Sequence, residues 1–196
     1  VETPSPIMAQ WVTEDTMEEG RDGLADWFST RFSFGAHLHA AGIALITNPV
    51  YTLNNEVQSL NSDYIVRPNS KTAGNLTSLD VMTVDVVAEV VMRCKLARPK
   101  IRPAKTPWGD RYVMFLSPEQ VTDLRKSDGE WFGLMKAALQ GGRIDDNPIW
   151  NNALGQYNGV VFMESDLIPP GMNSGETALL DKTRRSWVGG ASALLM

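Results

Sequence analysis

The spacing of apolar residues predicts a helical N-terminal region followed by an extended one. Apolar positions at helical intervals predict a helix over residues 14–34, weakened by two glycines, and a second, short helix over 34–44. Residues 46–76 hold Thr, Asn, Ser, Gly and two prolines and carry only short apolar pieces. Such a stretch is typical of a functional arm or a disordered link, or of a surface loop with a weak hairpin.

The clearest predicted helix covers residues 77–98 and has two distinct sides. Thr77 and Asp80 have the spacing of a capping box, and a proline ends the pattern. The apolar side holds Val84, Val87, Val91 and Cys94, and the charged side holds Asp85, Glu89 and Arg93. Glu89 and Arg93 are spaced for an i,i+4 ion pair. The charged side therefore predicts a solvated or subunit-facing surface.

A stiff, basic connector follows at residues 98–107. Six Lys or Arg residues and no acidic residue lie between positions 93 and 105. This segment could meet phosphates or acidic partners. A solvated linker is favoured, because no aromatic residues alternate with the cations.

Residues 108–196 alternate between strand and helix patterns. Strands are predicted at 111–116, at 160–164 and again at 184–195. Ser117 and Gln120 form a capping-box pattern at the start of a helix that reaches about residue 126. Between these elements the sequence predicts a helix at 130–140, a helix stop at Gly141–Gly142, a turn at Asn158–Gly159 and a loop at 167–176. The fold class is therefore α+β.

Composition and candidate chemistry exclude several classes of protein. A net charge of −5 argues against a general nucleic-acid binder. The longest near-continuous apolar run, 40–46, is far shorter than the roughly 20 residues that span a bilayer. The single Cys94 excludes an internal disulfide and a cysteine-based zinc site. His37 and His39 would point to different sides of a helix, which makes them a poor metal pair.

Two hypotheses about function follow from the residues. A soluble hydrolase would need Cys94, or a serine, in one pocket with His37 or His39. The sequence has no Gly-x-Ser-x-Gly elbow and no glycine-rich phosphate loop. Extended arms that cannot bury themselves favour a subunit of an assembly. We therefore predict a protein that is not an enzyme, with no catalytic, cofactor-binding or metal-binding residues.

The two ends predict that the sequence is part of a longer chain. It begins at Val1 without an initiator methionine and ends inside an apolar stretch at Met196. Natural termini are usually polar and loosely held.

A resemblance to a known family is carried by residues 112–165. The matching runs are YVMFLSPEQVTDLR at 112–125, WFGLMKAALQGG at 131–142, DNPI at 146–149, ALGQYNGVV at 153–161 and Glu164–Ser165. These runs resemble the major capsid proteins of enquatro-type podoviruses and related tailed phages. The resemblance extends more loosely over residues 40–196.

The resemblance implies the Hong Kong 97-type α+β capsid fold, with a long spine helix, an extended loop and an α/β axial domain. It divides the chain into an N-terminal helical region (1–45), the extended loop or arm (46–76), the spine helix and connector of the peripheral domain (77–107) and a truncated axial-type domain (108–196).

The implied function is structural. Identical subunits would form hexamers and pentamers of an icosahedral shell that encloses double-stranded DNA without binding it specifically. The protein would belong to the virion, be assembled in the bacterial cytoplasm and use no membrane. Scaffolding, portal or decoration proteins are further candidate partners. The alternative with the same fold is the shell of a cellular nanocompartment.

Overall fold

The computed structural model describes residues 6–48, 52, 55–106, 109–127, 156–173 and 175–191. The α-helices of this part are α1 (Pro6–Ala41), α2 (Val84–Leu96) and α3 (Pro118–Ser127). Its strands are β1 (Ala104–Thr106), β2 (Gly109–Leu116), β3 (Gln156–Tyr157), β4 (Val160–Glu164), β5 (Pro170–Met172), β6 (Leu179–Arg184) and β7 (Trp187–Gly189). The mixture of helices and strands confirms the predicted α+β class.

Strand β2 forms the centre of the main sheet. Strand β4 lies parallel to it, with Tyr112 opposite Val160 and Leu116 opposite Glu164. Strands β1 and β7 are antiparallel to β2 and share its other edge, where β7 pairs with residues 113–115. Strand β3 extends the sheet beyond β4, and β5 and β6 form a separate antiparallel pair. The parallel β2–β4 pair requires a crossover connection, whose described part contains α3.

Side chains alternate along β2 and so divide the molecule into layers. Tyr112, Met114 and Leu116 point to one face of the sheet, where they pack with α2 and α3. This core cluster consists of Met82, Val84, Val87, Val91, Cys94, Tyr112, Met114, Leu116, Val121, Leu124, Val160 and Phe162. Phe115 points to the opposite face and meets residues of α1 and β7. The sheet thus lies between α2 and α3 on one side and the end of α1 on the other.

Helix α1 is one continuous helix where the sequence predicted two. It covers Pro6–Ala41, so the predicted boundary at residue 34 is wrong. An internal glycine destabilises a helix by only about 0.5–1 kcal/mol relative to alanine. The glycines within α1 therefore do not end the helix. Gly42 ends α1 with a φ of 64°, and the Ile43 amide donates back to the Leu38 carbonyl at 3.2 Å.

Helix α2 begins later than predicted. Its N-cap is Thr83, whose Oγ1 accepts a hydrogen bond from the Val86 amide at 3.4 Å. The predicted helix start at Thr77 is wrong, because Thr77 and Asp80 close a separate turn before the helix.

The two sides of α2 are confirmed. Its buried residues are Val84, Val87, Val91 and Cys94, the predicted apolar side. On the charged side, Arg93 Nη2 donates to Glu89 Oε1 at 2.8 Å, which is the predicted i,i+4 pair.

The α3 capping box and the Asn-Gly turn are also confirmed. The Ser117 amide donates to Gln120 Oε1 at 3.1 Å, and the Gln120 amide donates to Ser117 Oγ at 3.3 Å. Asn158 and Gly159 both have positive φ in the turn between β3 and β4.

Three other predictions need correction. The described residues of 46–76 form short 3-10 turns at Ser62–Tyr64, Pro68–Ser70 and Ala73–Asn75, and no strand pairs them into a hairpin. The predicted loop at 167–176 contains β5. The described part of the predicted strand at 184–195 is divided between the end of β6 and β7, and residues 192–195 lie outside the described residues. The predicted helix at 130–140, its glycine stop and the DNPI run lie outside the described residues.

Candidate assembly surface

Helix α1 presents a long apolar face to solvent. Residues 17–30 are all exposed. Met17, Leu24 and Phe28 lie on one side at helical spacing, with exposed fractions of 72%, 67% and 59%. Trp27 and Phe32 flank them and are also exposed. An extended apolar patch of this kind marks a surface that contacts another molecule.

The opposite side of α1 is acidic. Successive residues of a helix are rotated by about 100° around its axis, which places Glu18, Glu19, Asp22 and Asp26 on the side away from the apolar residues. Arg21 lies 3.8 Å from Glu18 and 3.7 Å from Asp22, but both pairs are largely exposed to solvent and contribute little stability. We call these four residues the acidic side of α1.

A second charged surface begins in the last turn of α2 and continues into the chain after it. Lys95, Arg98, Lys100, Arg102 and Lys105 are all exposed, and no acidic residue interrupts them. Arg98 folds back to donate to the carbonyls of Leu96 and Ala97. We call residues 95–105 the basic segment.

The C-terminal end of α1 is anchored to the rest of the molecule. Leu38 and Ala41 belong to a second core cluster with Ile43, Val57 and Met172. Arg185 Nη1 donates to the Ala41 carbonyl at 3.4 Å. The helix is therefore held at one end, while its middle extends into solvent.

His37 joins this end of α1 to the sheet. It is 7% exposed. Trp187 Nε1 donates to His37 Nδ1 at 2.9 Å, and His37 Nε2 lies 3.1 Å from Ser165 Oγ. Phe115 stacks on Trp187 with ring centres 4.5 Å apart and meets the edge of His37 at 5.4 Å.

These contacts determine the protonation of His37. An indole N–H can only donate, so Nδ1 is the acceptor and the proton of the neutral ring lies on Nε2. Burial lowers the pKa of His37, although the charge of Asp166 partly opposes this. His37 is therefore neutral at pH 7 and donates from Nε2 to Ser165 Oγ.

Ser165 and His37 are consequently not a nucleophile and its base. In a catalytic serine–histidine pair the serine hydroxyl donates to the imidazole, the reverse of the direction here. Ser165 Oγ also accepts from the Leu167 amide at 3.3 Å. Sequence reasoning missed this pair, because 128 positions separate its members and neither lies in a recognisable motif.

Cys94 does not complete a catalytic pair either. It lies with Met114 in the core cluster on the α2 side of the sheet, whereas His37 lies with Phe115 on the other side. Burial raises the pKa of the Cys94 thiol, and the reactive form of cysteine is the thiolate. His39 Nε2 is engaged with the Thr52 carbonyl at 3.1 Å. Among the described residues, the soluble hydrolase hypothesis therefore has no geometric support.

A cavity of about 440 Å³ lies between α2, residues 60–82 and the β5–β6 pair. Arg67 and Arg185 line one part of it, and burial, together with the charge of Arg67, lowers the pKa of Arg185. Arg184 Nε, also on its wall, donates to Glu119 Oε2 at 2.8 Å. This ion pair connects β6 to α3, so Arg184 in the cavity wall has a structural role.

Across the described residues, no group of three or more His, Cys, Asp or Glu side chains could hold a metal ion. No helix in the same residues has the length and apolar character needed to cross a membrane.

The described fold and surfaces define a class of structural proteins that act through contacts with other chains. A family model for phage capsid proteins matches residues 1–195, and the chain therefore belongs to the phage capsid protein family. Capsid proteins are structural components of virions, so this match confirms the predictions of a capsid protein and of a protein that is not an enzyme. It favours a phage shell over a cellular nanocompartment.

Two solved structures resemble the chain. The capsid of Ralstonia phage GP4 matches with a TM-score of 0.61 and 22% identity, over 78% of this chain and 46% of that one. The capsid asymmetric unit of cyanophage Pam1 matches with a TM-score of 0.38 and 22% identity, over 49% of this chain and 27% of that one. The likeness to the GP4 capsid shows that this chain has a phage-capsid fold. The chain spans less than half the length of the GP4 capsid chain. No curated protein sequence matches the chain.

Proposed function

We propose that this chain is the major capsid protein of a tailed phage and that many copies assemble into an icosahedral shell around double-stranded DNA. The observation that carries the proposal is the family match over residues 1–195. The likeness to the GP4 capsid fold supports it.

The exposed face of α1 also supports the proposal. A helix with large apolar side chains at 50–72% exposure gains stability only when another surface covers it. In a shell every copy meets neighbours of the same kind, so weak contacts repeat many times and the whole becomes durable.

The domain organisation of the proposed subunit follows the Hong Kong 97-type pattern. Residues 1–45 form the N-terminal helical region, 46–76 the extended loop or arm, 77–107 the spine helix with its connector, and 108–196 the axial-type domain. The two-sided helix α2 and the turns of residues 55–76 fit these roles. The narrower resemblance to enquatro-type podoviruses stays a prediction.

Partners and location follow from the same proposal. The subunits form hexamers and pentamers and meet scaffolding, portal or decoration proteins during assembly in the bacterial cytoplasm, and the product is part of the virion. A net charge of −5 suits a shell that encloses DNA without binding it specifically.

Expression of the complete encoded protein, followed by analytical ultracentrifugation and negative-stain electron microscopy, tests this proposal. We expect large closed particles, or free hexamers and pentamers. A strictly monomeric product across the micromolar concentration range would contradict the proposal. A shell that contains a cargo enzyme instead of DNA would assign it to a nanocompartment.

A further inference from the structure

We propose that the acidic side of α1 in one subunit binds the basic segment of a second copy of the chain. The inference rests on the proposed capsid function, which supplies that second copy. It names one specific contact, between Asp22 and Asp26 on the helix and Lys100 and Arg102 on the segment.

The two surfaces have opposite charge and few internal partners. The acidic side carries four carboxylates, and only Glu18 and Asp22 have an ion-pair partner among the described residues, the shared Arg21. The basic segment carries five cations, and the described ion pairs include none of them. Like charges gathered on each surface repel one another, and a surface of opposite charge relieves that repulsion.

The spacing of the charges also matches. Asp22 and Asp26 are one helical turn apart, about 6 Å along the axis. Lys100 and Arg102 are exposed on either side of Ile101, which packs against the core. Two residues of extended chain span about 6.6 Å. A helix that lies along the segment can therefore place two carboxylates opposite two cations.

A second copy fits better than the same subunit. Within one subunit both surfaces are exposed at the same time, and α1 is anchored at its far end through Leu38 and Ala41. Each copy therefore offers one acidic surface and one basic surface. Contacts between the acidic surface of one copy and the basic surface of the next are head-to-tail, and such contacts close into rings when the rotation between copies permits. Hexamers and pentamers are rings of this kind.

A second copy also fits better than DNA as the partner of the basic segment. Phosphate recognition would leave the acidic side of α1 without a role, whereas the contact between copies uses both surfaces. The acidic and apolar sides of α1 are opposite each other, so one neighbour cannot cover both. The inference concerns the acidic side alone.

A charge-reversal experiment on the complete protein tests the contact. One variant carries Asp22→Lys and Asp26→Lys, a second carries Lys100→Glu and Arg102→Glu, and a third combines all four changes. The control variant reverses Glu56 and Asp181, two exposed acids outside α1. Circular dichroism and thermal unfolding verify that each variant folds, and sedimentation velocity measures the assembled fraction.

We expect each two-site reversal to reduce the assembled fraction about tenfold at low salt, and the combined variant to recover it to within about threefold. The loss in each two-site variant should depend on ionic strength, and the control should assemble like the wild type. If the wild type assembles and the combined variant does not recover, the inference is wrong while the proposed function stands. Loss in the Lys100/Arg102 variant alone would assign the segment to DNA or another partner. A wild type that never assembles contradicts both.

Discussion

At the scale of single residues, Asp80 organises the chain before α2. Its carboxylate accepts hydrogen bonds from Lys71 Nζ at 2.8 Å, the Thr77 amide at 2.8 Å and Thr77 Oγ1 at 2.9 Å. Asn69 Nδ2 donates to it as well, at 3.3 Å. These bonds, led by that from Lys71, hold the pKa of Asp80 well below its ordinary value of 3.8.

Replacement of Asp80 by alanine should therefore loosen residues 69–80 without unfolding the core. All four donors lose their shared acceptor, so we expect amide hydrogen exchange in this segment to increase about tenfold or more. Exchange in β2 and α2 should change little. Asp181→Ala, at an exposed carboxylate outside the segment, is the matched control.

The hydrogen bonds of Asp80 also make the order of residues 69–80 depend on pH. Because the folded state lowers the pKa of Asp80, its contribution is complete above 3.8 and is lost as the pH falls through the folded value. Wild-type exchange in residues 69–80 should rise toward that of Asp80→Ala in acid. Equal exchange in the two proteins at pH 7 would contradict the role given to Asp80.

Residues 77–80 also show what a local pattern can and cannot predict. Ser117–Gln120 and Thr77–Asp80 have the same spacing, and the sequence predicted a helix start at both. The first begins α3, because both reciprocal bonds are made within the box. In the second, Asp80 is shared with Lys71, nine positions earlier, and the chain turns instead. A contact outside the pattern decided the outcome.

At the scale of secondary structure elements, His37 fastens α1 to β7 and to the chain after β4. The neutral ring accepts from Trp187 and donates to Ser165. A second proton would make Nδ1 a donor that faces another donor, the indole N–H. The attachment of α1 to the sheet therefore depends on a neutral His37.

We expect acid to weaken this attachment. The pKa of His37 is lowered by folding, so its contribution is present above the unfolded value of about 6.5 and declines as the pH falls below it. By pH 5 the loss of unfolding free energy is at most about 2 kcal/mol. His37→Gln keeps an acceptor for Trp187 but cannot titrate in this range, so its stability should vary less between pH 7 and pH 5.

Urea unfolding of unassembled subunits at both pH values, followed by circular dichroism, measures the effect. An identical pH dependence of wild type and His37→Gln would exclude His37 as the titrating group. Asp166 is the charged neighbour that opposes the shift. Asp166→Asn should therefore lower the folded-state pKa of His37 further, so that the decline still begins near pH 6.5 but continues to a lower pH and becomes larger.

Strand β5 shows why some elements could not be predicted. Its sequence, Pro170–Met172, reads as a loop because it contains proline and glycine. The strand exists because β6 pairs with it. A Cβ at Gly171 would clash with Thr183 Oγ1, so the glycine permits the close approach of the two strands. The partner strand and the reason for the glycine are visible only in three dimensions.

At the scale of the whole molecule, the buried apolar residues and the exposed apolar residues lie in separate regions. The core cluster lies between the sheet and helices α2 and α3, while α1 extends its apolar face into solvent. The sequence predicted the α+β class, the apolar side of α2 and the capsid family, since these depend on local patterns and on resemblance. It could not predict the single long α1, because the glycines that weaken the local pattern did not interrupt the helix.

This separation predicts different roles for two phenylalanines. Phe162 is 0% exposed in the core cluster and Phe28 is 59% exposed on α1. Phe162→Ala should lower the unfolding free energy of the subunit by about 3–5 kcal/mol, because it leaves a cavity in a packed core. Phe28→Ala should change it by no more than about 0.5 kcal/mol and yet reduce particle formation several-fold, because in the proposed shell neighbouring subunits would cover the apolar face of α1.

Chemical denaturation of unassembled subunits measures the first effect, and sedimentation of particles measures the second. A Phe28→Ala subunit destabilised as strongly as Phe162→Ala would mean that its own chain covers this face of α1. Normal stability and normal assembly together would mean that the shell does not use this face. Because a particle repeats each contact in every copy, even a small loss per subunit is multiplied in assembly, so the assembled fraction is the more sensitive of the two measurements.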